Sequence, residues 1–450
     1  MTNTIHIGCG AGFANDRPDA TLRLAQSLAT CSGKRYLMLE LLAERTLAEA
    51  QLRKQLDANS GYASRLFDFL DPILDICIES GIPIITNGGA ANPKAAALNL
   101  RNKLAGRHPG LKIACVLGDD LLELGEQQLQ QWLATRELPG ELVSVNVYTG
   151  ADGITQALEQ GANIVLCGRA ADPSLAVGPI RHGLGWAFDD WQKMAIATTA
   201  GHLLECCTQV TGGYFAHPGI KDVPNPANLD CPIIEISSSG ELIVTKVKGT
   251  SGCVNERTVK EQLLYEIHDP RRYLTPDVIL DISQVSVEQI DENRVRVAGI
   301  QGHPRPDTLK GLAGMRGLWF GEASISYAGP GAVERASLAR EILLQRFAQL
   351  APQLTPRIDL VGVASLFNDQ HSDYLSKCLA QSPTVEDVQV RVGIVDENRQ
   401  LIEQLQAEVE SLYTNGPAGG GGVRRHLSES ITTRDFLIPR SAVQTRLEWY

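Results

Sequence analysis

Arg169 and Asp172 stand three residues apart in Gly168-Arg-Ala-Ala-Asp-Pro-Ser174, directly after the apolar run Ile164–Cys167. A guanidinium can grip a carboxylate or phosphate through two parallel hydrogen bonds, and an acid beside it can handle protons. The same pair can equally close on itself and cap the next helix. Glu40 ends the apolar run 36–39, with Glu44 four residues on. A carboxyl at the last position of a buried strand is partly desolvated, so its proton affinity rises and it suits general acid/base work near neutral pH. Asn87, Asn92 and the N–H groups of Gly88 and Gly89 follow the run 82–85, a set able to stabilise an oxyanion or enolate. Asp119 and Asp120 follow the run 112–117, and paired carboxylates suit Mg²⁺.

These residues need a frame that gathers them. Six short apolar runs, beginning at residues 4, 36, 82, 112, 143 and 164, each lead into a polar exit and then a helix-like stretch. That alternation is the mark of repeated βα units with a parallel sheet, and ligands bind in the crevice beyond the carboxyl ends of such strands. The first exit carries Gly10, Gly12 and Asp16, the fifth Gly150, and the sixth Gly168 and Ser174. Six exits on one edge of one sheet would form one site.

Beyond residue 216 the pattern changes. Short strands with Ser-Ser-Gly and Asp-Glu-Asn turns between 217 and 314 predict antiparallel hairpins and one helix, and Thr250 lies in a small-residue loop ahead of that helix. Such a loop can face an anion or serve as a plain cap. From 315 to 450 the order is β-α-β-β-α-β, that of a ferredoxin-like split βαβ unit, with the glycine-rich stretch 417–422 a flexible loop before its last strand. The expected fold is therefore α/β: a mostly parallel sheet of repeated βα units (1–216), a β-rich segment (217–314) and a ferredoxin-like α+β unit (315–450).

At 450 residues the chain has room for two or three packed units. Its net charge of −11 and the absence of a Lys/Arg cluster argue against nucleic acid, whose binding needs a concentrated basic face. No basic, apolar leader opens the sequence and no run approaches the ~20 apolar residues of a membrane span, so a cytoplasmic protein is expected. Ten scattered cysteines without a CxxC pair fit reduced thiols used as small core residues.

Three other motifs have alternatives. The glycines at 8, 10 and 12 are spaced GxGxG, so the third is one residue early for a dinucleotide fingerprint, although Glu40 stands where a ribose-binding acid would. His202 and Cys206 lie one helical turn apart, as zinc ligands can, but no second pair has matching spacing. No GxSxG elbow is present to support a serine hydrolase.

The segments IGCGAGFANDR (7–17), LELLAERTLAEAQL (39–52), ITNGGAANPKAAA (85–97), VLGDDL (116–121) and LCGRAADPSLAVGP (166–179) resemble the acyclic terpene utilisation AtuA family. The likeness extends through GHLLECCTQVTGGYF (201–215), KVKGTSGCV (246–254) and LTPD (274–277), nearly the whole chain. The resemblance implies a place in pathways that degrade branched terpenoid acids as coenzyme A thioesters. Carrying its motifs over by position nominates Asp16, Glu40, Glu44, Asn87, Asn92, Asp119, Arg169 and Asp172.

Together these features point to a lyase, hydratase or isomerase acting beside the carbonyl of a branched acyl-CoA or related acid. The residues demand no metal or redox cofactor. The alternative is a non-catalytic binding or scaffold subunit of an acyl-CoA pathway complex. A homo-oligomer is expected under either reading, because ferredoxin-like units often pair through their sheet or helix faces.

Overall fold

A computed structural model describes residues 4–104, 106–133 and 140–450. The chain forms two compact units, one of Met1–Glu137, Leu142–Gly314 and Thr433–Tyr450, the other of Leu138–Glu141 and Met315–Thr432.

The first unit is built on β1 (Thr4–Gly12), β2 (Lys34–Glu40), β3 (Ile84–Thr86), β4 (Ile113–Leu117), β5 (Glu141–Val147) and β6 (Ile164–Cys167). All residues of β3, β4 and β6 are buried, as expected of strands covered on both faces. They pair in parallel in the order β1-β2-β3-β6-β4. The interior of this sheet and its covering helices is one apolar core, including Ile5, Leu24, Leu37, Ile85, Ala97, Val165 and Leu203.

The sheet continues beyond the parallel strands. β7 (Pro232–Ser237) pairs antiparallel with β1 and β8 (Leu242–Lys246) with β7. Of β9 (Tyr273–Leu274), β10 (Ile279–Asp281), β11 (Ser286–Asp291), β12 (Arg294–Ala298) and β13 (Gln301–His303), the pair β11 and β12 complete this side of the sheet, while β13-β10-β9 form a sheet of their own. The segment 217–314 thus belongs to the same compact unit as the parallel strands.

β5 departs from the expected arrangement: it pairs with β14 (Thr308–Ala328) and is absent from the parallel order. Five of the six exits therefore lie along the parallel sheet. The β5 exit still reaches the β6 exit, because Thr149 N–H donates to the Arg169 carbonyl (3.0 Å) and Ala171 N–H to the Thr149 carbonyl (2.9 Å).

The second unit holds most of β14 with β15 (Arg357–Val361), β16 (Asp387–Asp396) and the first part of β17 (Gly421–Pro439), in the order β15-β16-β14-β17. Helices Ala332–Leu350 and Arg399–Asn415 contribute Ala336, Leu343, Leu405 and Val409 to its core. The expected loop 417–422 is shorter than its composition suggests, since Gly421 and Gly422 already belong to β17. From Thr433 the chain belongs to the first unit again, where β18 (Arg446–Trp449) pairs antiparallel with β4. The whole is a mixed α/β protein. No helix among the described residues is long and apolar enough to cross a membrane.

Candidate functional site

Glu40 closes β2 at 9% exposure. Its Oε1 accepts from Leu42 N–H (2.7 Å) and from Asn87 Nδ2 (3.0 Å). Asn87, just past β3, is oriented by Leu41 N–H, which donates to its Oδ1 (2.7 Å). Its Nδ2 also reaches Asp172 Oδ1 at 3.4 Å. One amide thus spans two carboxyls. Burial, and then the negative charge of Asp172, raise the Glu40 carboxyl well above the ordinary range, against the opposing hydrogen bonds.

Arg169 lies opposite and is 2% exposed. Its Nη2 donates to both oxygens of Asp172 (2.9 and 3.0 Å), and its Nη1 to the Leu42 carbonyl. The guanidinium stacks 4.1 Å from the Tyr148 ring centroid. Burial opposes the charge on Arg169, but Asp172, Tyr148 and Glu40 outweigh it and keep the cation. Of the three guanidinium nitrogens of Arg169, Nε has no partner among the described residues. Burial raises Asp172 too, while Arg169 works against that rise, so of the two carboxyls Glu40 holds the proton more firmly. Asp172 keeps 30% of its side-chain surface exposed and is the open side of the cluster.

The other nominated residues support this pair or stand apart from it. Asp119, after β4, accepts from the backbone N–H of Arg169 (2.7 Å) and from Asn146 Nδ2 (3.0 Å). Burial pushes it up to about 6. Asp120 faces elsewhere, toward Lys54 and the N–H of Leu122. No group of three or more His, Cys, Asp or Glu among the described residues is placed to hold a metal. A Cβ on Gly168 would overlap the Asp119 carboxylate, so this glycine is required by space. Gly168→Ala should destabilise the protein by about 1–3 kcal/mol, measured by urea unfolding.

Several expected roles change. Glu44 accepts from Tyr148 Oη (2.8 Å) and Lys310 Nζ (2.7 Å); burial alone would raise it, but these bonds hold it below its ordinary value. It anchors the ring beneath Arg169 and carries no spare proton. The oxyanion role drawn for Asn87 and Gly88 does not fit, because the Asn87 amide is engaged by carboxyls and Gly88 N–H donates to Thr86 Oγ1 (2.9 Å). Gly89 packs against the Cys167 carbonyl and Pro93. Asn92 caps helix Pro93–Lys103 and donates to the carbonyls of Ala58 and Ser60, a structural use. The two-pronged grip expected of Arg169 is directed at Asp172 and Leu42.

Gly10 and Asp16 line a separate cavity of about 200 Å³ with Arg17, Cys207, Thr208 and Asn228, and Gly12 N–H donates to Asp16 Oδ2 (3.2 Å). Gly150 and Ser174 meet Asp277, which accepts from Ser174 Oγ (2.5 Å) and Ala151 N–H (2.9 Å). Thr250 bonds within its own loop, to Lys246 and the Val247 carbonyl.

Sequence reasoning passed over Tyr148, Asn146, Asp277 and Lys310, whose partners are far away in the chain. It weighed His202 with Cys206 as zinc ligands and preferred a helix packed under the strand exits; His202 Nδ1 is bonded to Glu205 Oε1 at 2.8 Å. The i, i+3 spacing of a histidine and an acid on an apolar helix was the available signal.

The fold and this cluster define a mixed α/β protein with buried carboxyls of unequal proton affinity at its strand exits. The chain belongs to the family described as acyclic terpene utilisation family protein AtuA, whose sequence model matches residues 5–449. Membership implies a part in acyclic terpene utilisation. No curated protein matches the chain.

Proposed function

We propose that the protein is an enzyme that moves protons at the carbon beside the carbonyl of a branched acyl thioester, as a hydro-lyase, carbon–carbon lyase or isomerase. The observation that carries this is the pair Glu40 and Asp172, joined by Asn87, of which only Asp172 is hydrogen-bonded to the Arg169 guanidinium that counters its burial. Two carboxyls whose surroundings push their proton affinities apart are an acid and a base. Asp172, the accessible member, takes the proton from carbon; Glu40, protonated, donates toward the oxygen on which negative charge develops. The unpartnered Arg169 Nε supplies one further donor.

A neutral thioester carbonyl suits this site better than a free carboxylate. The guanidinium is already paired, and one N–H matches a carbonyl oxygen, while a buried carboxylate without a cation would be heavily penalised. In the second unit, the strand order β15-β16-β14-β17 with two long helices supports the ferredoxin-like reading.

The test is deuterium exchange. Isovaleryl-CoA and longer branched homologues, incubated with the protein in D₂O, should gain deuterium beside the carbonyl, read by mass spectrometry; the free acids should not. A folded protein that exchanges none of them, and that co-purifies with a stoichiometric foreign chain, would instead be a scaffold subunit.

A further inference from the structure

β5 leaves the parallel sheet to pair with β14, and Tyr148, the first residue past its end, is where that departure meets the site. The Tyr148 N–H donates to the carbonyl of Lys310, on β14, at 2.9 Å. The side chains close on each other as well. Tyr148 Oη and Lys310 Nζ both donate to Glu44 Oε1 (2.8 and 2.7 Å), and Nζ lies 5.0 Å from the ring centroid. The phenol is thus fixed at its hydroxyl and at its backbone. Burial raises its proton affinity above the ordinary tyrosine range, with Arg169 opposing and Glu44 adding to the rise, so it stays a neutral donor.

What the fixed ring offers is a face. A guanidinium is planar, with its donors along the edges and none on either face. The edges of Arg169 are in use, Nη2 on both oxygens of Asp172 (2.9 and 3.0 Å) and Nη1 on the Leu42 carbonyl. Such bonds resist sliding within the plane more than tilting out of it. The Tyr148 ring, with its centroid 4.1 Å from the guanidinium carbon, opposes the tilt and attracts the cation through its electron-rich face. Arg169 is 2% exposed, so little water competes for that face.

We infer that Tyr148 is the positioning residue of the Arg169–Asp172 pair: its ring face steadies the guanidinium against Asp172, and Glu44 and Lys310 hold the ring. The departure of β5 from the parallel strands then serves the site, because pairing with β14 is what brings Lys310 alongside Tyr148. A guanidinium kept close to Asp172 favours its ionised form, the form that accepts a proton from carbon. One that tilts away lets burial raise the carboxyl further. The other groups facing Asp172 are Glu40 across Asn87, Glu266 after helix Glu256–Leu264, Glu205 at the end of helix Trp191–Glu205, and the phenols of Tyr148 and Tyr273. All of these are acids or neutral groups, so among them Arg169 alone favours the carboxylate. The consequence for turnover rests on the acid/base reading of Glu40 and Asp172.

The experiment follows Asp172 in two ways: the pH profile of exchange on isovaleryl-CoA, and carbon-13 NMR titration of protein labelled at its aspartate carboxyls, with Asp172→Asn to assign the signal. Tyr148→Phe keeps the ring face and should keep the wild-type midpoints. The same phenylalanine carrying three and then five fluorines keeps the ring but drains its face of electron density. Both midpoints should then rise in the order of fluorination, by about one pH unit at the extreme, which slows exchange on the acid limb about tenfold. A ring that only fills space would leave the midpoints unmoved across the series. Midpoints that ignore fluorination, or that Tyr148→Phe alone displaces fully, overturn the inference while the acid/base reading stands. Wild-type protein that exchanges nothing overturns the acid/base reading, and the NMR series still decides the role of Tyr148.

Discussion

Replacing Arg169 with methionine should destabilise the protein by about 3–5 kcal/mol, the range expected when one partner of a buried ion pair is removed and the other stays behind. The guanidinium is among the largest fully buried side chains, and its loss leaves the Leu42 carbonyl without its donor and Asp172 with only the long contact from Asn87 Nδ2 (3.4 Å). The double variant Arg169→Met/Asp172→Leu should recover most of the loss, because no uncompensated charge then remains. Urea unfolding followed by tryptophan fluorescence gives both values. A single-variant loss below about 1 kcal/mol would show a pair solvated like a surface salt bridge and would remove the electrostatic basis for the Asp172 role. The same coupling makes Asp172→Ala a poor probe of activity, since it would leave Arg169 charged and unpaired.

What could be read locally was largely read. Apolar runs such as Ile113–Leu117 and Ile164–Cys167 are buried on both faces and do form parallel strands, and Glu40, at a strand end, is desolvated as its position requires. What depends on distant partners was not legible. Nothing within 143–147 says that this run leaves the sheet to pair with a strand that begins at Thr308. Nothing in the hairpins beyond Pro232 says that they extend the parallel strands, because an antiparallel strand looks alike whether it starts a new sheet or completes an old one. The side chains follow the same division. Glu44 looked like a free acid until Lys310, 266 residues later, supplied its cation. Asn87 looked like an oxyanion donor until Glu40 and Asp172 were found on its amide.

Glu40→Gln should produce the largest functional loss, a fall of about 10²–10⁴-fold in exchange at the carbon beside the thioester carbonyl, the usual contribution of a positioned general acid. The substitution keeps Oε1, so Leu42 N–H and Asn87 Nδ2 retain their acceptor, and only the transferable proton is lost. Stability should move the other way. The folded-state proton affinity of Glu40 is raised, so the stability it contributes is full below the unfolded carboxyl value and is lost as pH rises through the raised one. Glutamine is neutral throughout and undergoes no such loss. The stability of wild type relative to the variant should therefore fall steadily from about pH 4 upward, leaving Glu40→Gln the more stable protein under alkaline conditions. Urea midpoints measured from pH 4 to 9 decide it. Curves that run parallel across this range would mean that Glu40 titrates like a solvated acid, and a carboxylate already ionised at neutral pH could not donate the proton assigned to it.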